Sequence, residues 1–247
     1  MKHENGFTLV ELLTAMAVTM ILLVAVYMAV NSVQRHSSAI ERKVTAQQDV
    51  KPALDLMAME IGMASYNPTF AINLWVNPPG SAAGTCGSST GANQTYRGIQ
   101  EATATSIAVE MDISGPAAGS ASDGVLGDAN ETIRYNYVTG TANEYVTRST
   151  NCAGGNQAFL GDVSGNIRAV RVINGTLGLP MFRYYNGSGT EIVVSGADLG
   201  GLIPDIRRIE ITLAVETEDV DPNTGLRRKL IYSTSVVPRN HATISTN

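Results

Sequence analysis

An α+β fold is predicted: a long N-terminal α-helix, apolar in its first half and amphipathic in its second, followed by an antiparallel β-sheet globular domain. Three observations predict it. Phe7 to Val30 is 24 residues of nearly continuous apolar character. Beyond it, Val33, Ile40, Val44, Gln47, Val50, Leu54, Met57 and Ile61 recur at three-, four- and seven-residue steps, the spacing of one helical face. From Ile107 onward, short runs alternate apolar and polar residues between turn-forming clusters, with no strand–helix–strand rhythm and no internal repeat.

The apolar segment comes first. At 1.5 Å of rise per residue it makes roughly 36 Å of helix, enough to cross a hydrocarbon core about 30 Å thick. It is interrupted by Thr8, Thr14, Thr19 and one carboxylate, Glu11. A cleaved secretory signal has a shorter apolar core and a small-residue cleavage site, whereas this run passes straight into helix-compatible sequence. A plain membrane anchor explains the length but not Glu11. An acidic group at mid-membrane costs roughly 2.5–3.5 kcal/mol, and less near the ends. Such a group needs a partner.

The run Gly6-Phe7-Thr8-Leu9-Val10-Glu11-Leu12-Leu13, after a short polar leader, resembles the processing site of type IV pilins and type II secretion pseudopilins. The resemblance implies cleavage by a prepilin peptidase between Gly6 and Phe7, N-methylation of Phe7, and the pilin fold. It also implies the missing partner, since Glu11 would attract the charged amine of Phe7 on a neighbouring subunit. That ion pair is strong only when both charges lose water together. The N-terminus is placed in the cytoplasm by the resemblance and not by charge counting. Lys2 is offset by Glu4, while Arg35, Arg42, Lys43 and Lys51 follow the apolar run.

The second half of the helix should turn its 33–61 stripe toward the globular domain, with Arg35, Glu41, Arg42, Asp49 and Asp55 largely off it. Pro52 removes one backbone donor and predicts a local bend; Gly62 and Asn67-Pro68 predict the end. The Met57, Met59 and Met63 cluster is expected to pack rather than to bind a ligand. The segment Ala53 to Pro68, ALDLMAMEIGMASYNP, is similar to the helix end of W-type minor pilins (PilW), with Asn67 where aspartate is common. The stretches Ile206 to Leu213 and Val236 to Asn240 are W-like as well. The predicted division is a leader over 1–6, the membrane and assembly half of the helix over 7–30, its amphipathic half over 31–66, and the β-rich domain over 67–247.

Phe70 to about Thr105 reads as loop. Strands are predicted over Ile107 to Ile113, Ile133 to Tyr137, Tyr145 to Arg148, Ile167 to Ile173, Met181 to Tyr185 and Glu191 to Val194. An antiparallel hairpin is predicted from Ile209, Ile211, Leu213 and Val215 against Leu230, Tyr232 and Val236, turning through Asp221 to Gly225. That hairpin sets Glu216 and Glu218 across from Arg227-Arg228-Lys229, so cross-strand pairing accounts for the basic run better than anion binding does.

Cys86 and Cys152, each in a Gly/Ser/Thr/Asn-rich stretch, read as a disulfide for an extracytoplasmic domain, with two unpaired thiols as the alternative. Closing that loop contributes on the order of 4 kcal/mol in the chain-entropy picture. No CxxC or histidine pair supports zinc. Asp219, Asp221, Asn223 and Gly225 resemble the front of a calcium loop, but the glycine comes one place late and Leu230 stands at the closing position. They are weak metal candidates, the hairpin turn explains them, and no cofactor is expected. The acidic run Asp112 to Glu131, with Asp123 and Asp128, is expected to be a solvated loop.

Catalysis is not expected. His3, His36 and His241 fall in leader, stem and tail, so a Ser-His-Asp arrangement would need the tail to insert. Neither a P-loop nor a dinucleotide fingerprint occurs. The net charge of −5 disfavours an anionic polymer, and no nucleic acid is expected as partner. The resemblance implies a W-type minor pilin that primes or joins a type IV pilus. It starts in the inner membrane with a periplasmic domain, ends in the extracellular fibre, and has prepilin peptidase and other minor and major pilins as partners. The alternatives are a J-type secretion pseudopilin, a pilus-tip adhesin or DNA-uptake module, and an anchored protein that never polymerises.

Overall fold

The computed structural model describes residues 8–77, 92–117, 119–140, 144–150, 156–161, 170–196, 198–221 and 224–241. Helix α1, Leu9–Gly62, runs unbroken for 54 residues and passes through Pro52. At 1.5 Å per residue its length is about 81 Å. Every described position from Thr8 to Val30 is exposed, so no described part of the chain buries the apolar half.

The second half carries the globular domain along the later part of the predicted stripe, Val50 to Ile61, but not along its earlier part. Val33, Ile40 and Val44 are exposed, whereas Ala39, Ala46, Val50, Ala53, Leu54, Met57 and Ile61 are buried. At about 100° per residue the two sets lie roughly 110° apart around the helix. The larger side chains suggested one stripe from 33 to 61. In the fold, the small side chains Ala39, Ala46 and Ala53 let the helix approach the sheet, where it packs on the last two strands of the chain.

Among the described residues the strands form two antiparallel sheets. The first is a meander of β1 (Ile99–Ala102), β2 (Ser106–Glu110), β3 (Thr132–Val138), β4 (Tyr145–Thr150) and β5 (Gln157–Gly161), each paired with the next. The second contains β6 (Val170–Val172), β7 (Phe182–Tyr185), β8 (Glu191–Ile192), β9 (Arg208–Thr217) and β10 (Lys229–Val236). Its order is β10-β9-β7-β8, with β6 also on β9. The predicted hairpin is β9–β10, in register from Lys229↔Glu216 to Val236↔Ile209. Residues 167–169 of the strand expected over Ile167 to Ile173 lie outside the described residues.

The stretch expected to be loop up to Thr105 holds a short 3-10 turn, Gln94–Tyr96, and β1. β1 escaped the pattern because its ends are buried and its two middle residues are not, with a register irregularity after Ile99. β5 was not predicted either, since it buries only its last two residues.

One core joins helix and sheets: Val50, Leu54, Met57 and Ile61 with Ile107, Val109 and Tyr135 of the first sheet, and Ile209, Ile211 and Leu213 of the second. A polar tie crosses it. Glu60 of α1 is buried, accepts a hydrogen bond from the Tyr135 hydroxyl and pairs with Arg148 of β4 through its Nε and Nη2. Burial first, then the Glu60 carboxylate, pushes the Tyr135 phenol upward, so it stays a donor. Between the sheets, the Tyr184 hydroxyl donates to the Thr103 carbonyl at 2.8 Å.

Candidate functional site

The front of α1 holds the acid on which the functional reading turns. Thr8 is the N-cap in extended conformation, and the first helical residues follow it. The Glu11 backbone N–H donates to Thr8 Oγ1 at 3.3 Å. In return, the Glu11 carboxylate accepts from the Thr8 N–H at 2.9 Å and from the Thr8 hydroxyl at 3.0 Å. This is a capping box, in which each residue satisfies an orphaned donor of the other. Both bonds to the carboxylate fall on Oε2.

Glu11 therefore has a partner within its own chain, which the sequence reading assigned only to another subunit. The signal was present as Thr8-Leu9-Val10-Glu11, a Thr-x-x-Glu run ahead of an apolar segment. Geometrically, the box presents a carboxylate at the exposed front of a helix whose first half is apolar all round. It also places that carboxylate against the positive end of the helix dipole. Gly6 and Phe7, read as the cleavage junction and the methylated residue, lie outside the described residues. So do Cys86 and Cys152.

The weak calcium candidates are engaged elsewhere. Asp221 is buried and pairs with Arg228 at 3.2 Å, and its backbone takes part in the turn with Gly225 and Leu226. Asp219 faces Arg42 of α1 at 3.6 Å, and Asn223 lies outside the described residues. Among the described residues no three His, Cys, Asp or Glu side chains stand together as a metal cage. The basic run is paired across the hairpin: Arg227 lies 3.6 Å from Glu218, and Lys229 stands opposite Glu216.

Two expectations are corrected. The Asp112–Glu131 segment is not simply a solvated loop, because both end carboxylates are fully buried. Glu131 accepts from the N–H groups of Ile113, Ser114, Gly127 and Asp128, and Asp112 from that of Gly124. The acids bind the loop's own backbone, which is why they can be buried.

The tail histidine also inserts. His241 is fully buried, with Nδ1 2.8 Å from Ser65 Oγ and Nε2 2.9 Å from the Ile203 carbonyl. A carbonyl only accepts, so Nε2 carries the proton and Nδ1 accepts from the Ser65 hydroxyl. Burial above all, with Arg207 and Arg97 adding to it, depresses the imidazole to about 4 and keeps it neutral. Ser65 Oγ in turn accepts from the Gly98 N–H at 3.1 Å. With its oxygen so engaged, and the second imidazole nitrogen on a carbonyl rather than a carboxylate, this pair has the geometry of a latch between helix end and C-terminal segment, not of an activated nucleophile.

Comparison with known proteins bears on the N-terminal segment. No curated protein matches the chain. A type IV-like pilin of Thermus thermophilus is similar in structure over 80% of this chain and 98% of that one, at 12% identity and a TM-score of 0.41, a distance at which no correspondence is drawn. Residues 1–27 match the family described as the prokaryotic N-terminal methylation motif. That match spans the leader, Glu11 and most of the apolar run, and one helix of the described structure is long and apolar enough to cross a membrane. The chain thus carries a prokaryotic N-terminal methylation motif on the front of a long helix that leads into an antiparallel β domain, an arrangement that fits a membrane-anchored precursor.

Proposed function

We propose that the chain is a minor pilin of the W type, a structural subunit that primes or joins a type IV pilus. In this reading prepilin peptidase cuts between Gly6 and Phe7, Phe7 is N-methylated, and the exposed apolar half of α1 leaves the inner membrane to pack among the helices of other pilins. The β domain, periplasmic before assembly, is carried outward on the fibre. The observation that supports this most is the methylation motif running without a break into a helix that keeps Glu11 at its front and buries none of its first half. The W-like stretches at the helix end and along β9 support the subtype.

Glu11 has a double task in this reading. In the free subunit it closes the capping box with Thr8, which survives cleavage because both residues lie after the junction. During assembly the same carboxylate meets the amine of a neighbouring Phe7 as water leaves both groups, where attraction is far stronger than at a wet surface. Replacing Glu11 by alanine and counting filaments tests the assignment. Fewer pili, or loss of the subunit from sheared fibres, is expected; normal pili containing the variant would refute it.

A further inference from the structure

The polypeptide just beyond α1 folds into an open cleft of about 520 Å³. It is at the end of the helix remote from the apolar run, roughly 48 Å of helix beyond Val30. Three rings, Tyr66, Phe70 and Trp75, line it together with the amides of Asn67, Gln94 and Asn240. Among the described lining residues none is a carboxylate, and Arg97 is the charged one.

The rings are held in place by unusual backbone. Of the described non-glycine residues, Ser65, Phe70, Asn73, Arg97 and Asn130 have positive φ, and three of these five, Ser65, Phe70 and Arg97, line this one cleft. An aromatic residue rarely adopts such a conformation. Strained positions of this kind persist only where surrounding contacts impose them, and they gather at ligand-binding sites. The contacts here are visible. The Asn67 amide clamps the turn by accepting from the Ala71 N–H and donating to the Ala71 carbonyl, at 3.1 and 3.0 Å. That turn leaves Phe70 84% exposed. Gln94 grips the backbone of Trp75 in the same two-handed way, at 3.2 and 2.7 Å. Beneath them Gly98 is wedged so tightly that a Cβ would meet the Glu110 carbonyl and the Ser65 nitrogen at 2.3 Å.

The clamped turn holds the Phe70 ring exposed in the same cleft as Tyr66, which calls for a ligand with a flat apolar face. The amides and the Arg97 guanidinium, with no carboxylate among the described lining residues, call for a ligand that also carries hydroxyl or amide groups. We propose that this cleft binds an oligosaccharide, whose C–H faces lie on Phe70 and Tyr66 while its polar edges meet the amide-lined wall. Preorganised rings give up little conformational freedom on binding. The inference rests on the minor-pilin reading only for the direction in which the cleft faces, outward on a fibre.

Trp75 is the only tryptophan of the chain, so its emission reports from this cleft alone. The full chain in detergent is titrated with chitotriose, with sialyllactose and, as competing chemistry, with oligothymidylate. A saturable change in Trp75 emission with one of the two saccharides is expected. Phe70→Ala should weaken that binding about three- to tenfold, the worth of one aromatic stack, and Phe70→Tyr should restore it. Phe70 is exposed, so the alanine variant should keep the wild-type melting temperature and still enter filaments. Failure of both saccharides to change the emission, unaltered binding by Phe70→Ala, or binding of oligothymidylate in their place would overturn the proposal. Glu11→Ala should leave the titration unchanged, which separates failure of this inference from failure of the assembly reading.

Discussion

At the scale of single residues, His241 and Glu60 show how long-range polar contacts close the fold. His241 has a folded pKa of about 4 against an ordinary 6.5, because burial disfavours its charged form. Its neutral form stabilises the native state fully above pH 6.5, and this contribution is lost as pH falls toward 4, as protons bind the unfolded chain first. The linked free energy is on the order of 3 kcal/mol. Urea melts between pH 7.5 and 4 should show the loss, and His241→Gln should flatten the profile across that window. Glu60 makes the second case. Glu60→Ala leaves Arg148 and the Tyr135 hydroxyl beside an empty place, and should lower stability by about 3 kcal/mol. A double-mutant cycle with Arg148→Ala, read by urea melts, should give strongly non-additive losses. Neither pair could be read from sequence, since Ser65 and His241 stand 176 positions apart and Glu60 and Arg148 88 apart. The Thr8–Glu11 box could be read, because its three-residue spacing is local.

At the scale of elements, α1 separates what periodicity reveals from what it hides. Its start, its apolar half and its end at Gly62 follow from local composition and local breakers. The face it buries follows only over Val50 to Ile61, because alanines at 39, 46 and 53 contribute little to a hydrophobic pattern yet decide how close helix and sheet come. Ala46→Leu should therefore overpack the interface and destabilise the domain by about 1–3 kcal/mol. Ile40→Ser, on the exposed early part of the predicted stripe, should change stability by no more than about 0.5 kcal/mol. Thermal melts of the two variants decide between the faces. The β9–β10 hairpin was legible because alternation and turn chemistry agree, with Gly225 at φ 67 in the turn. β1 and β5 were not, because neither buries alternate residues.

At the scale of the molecule, one helix serves two environments. Its second half is an ordinary core element, sharing buried side chains with both sheets. Its first half is buried by none of the described residues and displays apolar side chains all round, including Leu9, Ile21, Tyr27 and Met28. A surface of that size needs a bilayer or other helices around it. The methylation motif lies over residues 1–27; in the proposed reading, cleavage would free an amine at Phe7 and Glu11 would receive it from a neighbour. The α+β architecture was therefore legible in outline, while the aromatic cleft and the His241 latch arise from segments brought together only by folding. The central claim is tested most directly by the mass of the N-terminal peptide of this chain recovered from sheared filaments. The account predicts a peptide beginning with N-methylated Phe7; a peptide that still carries residues 1–6 would contradict it.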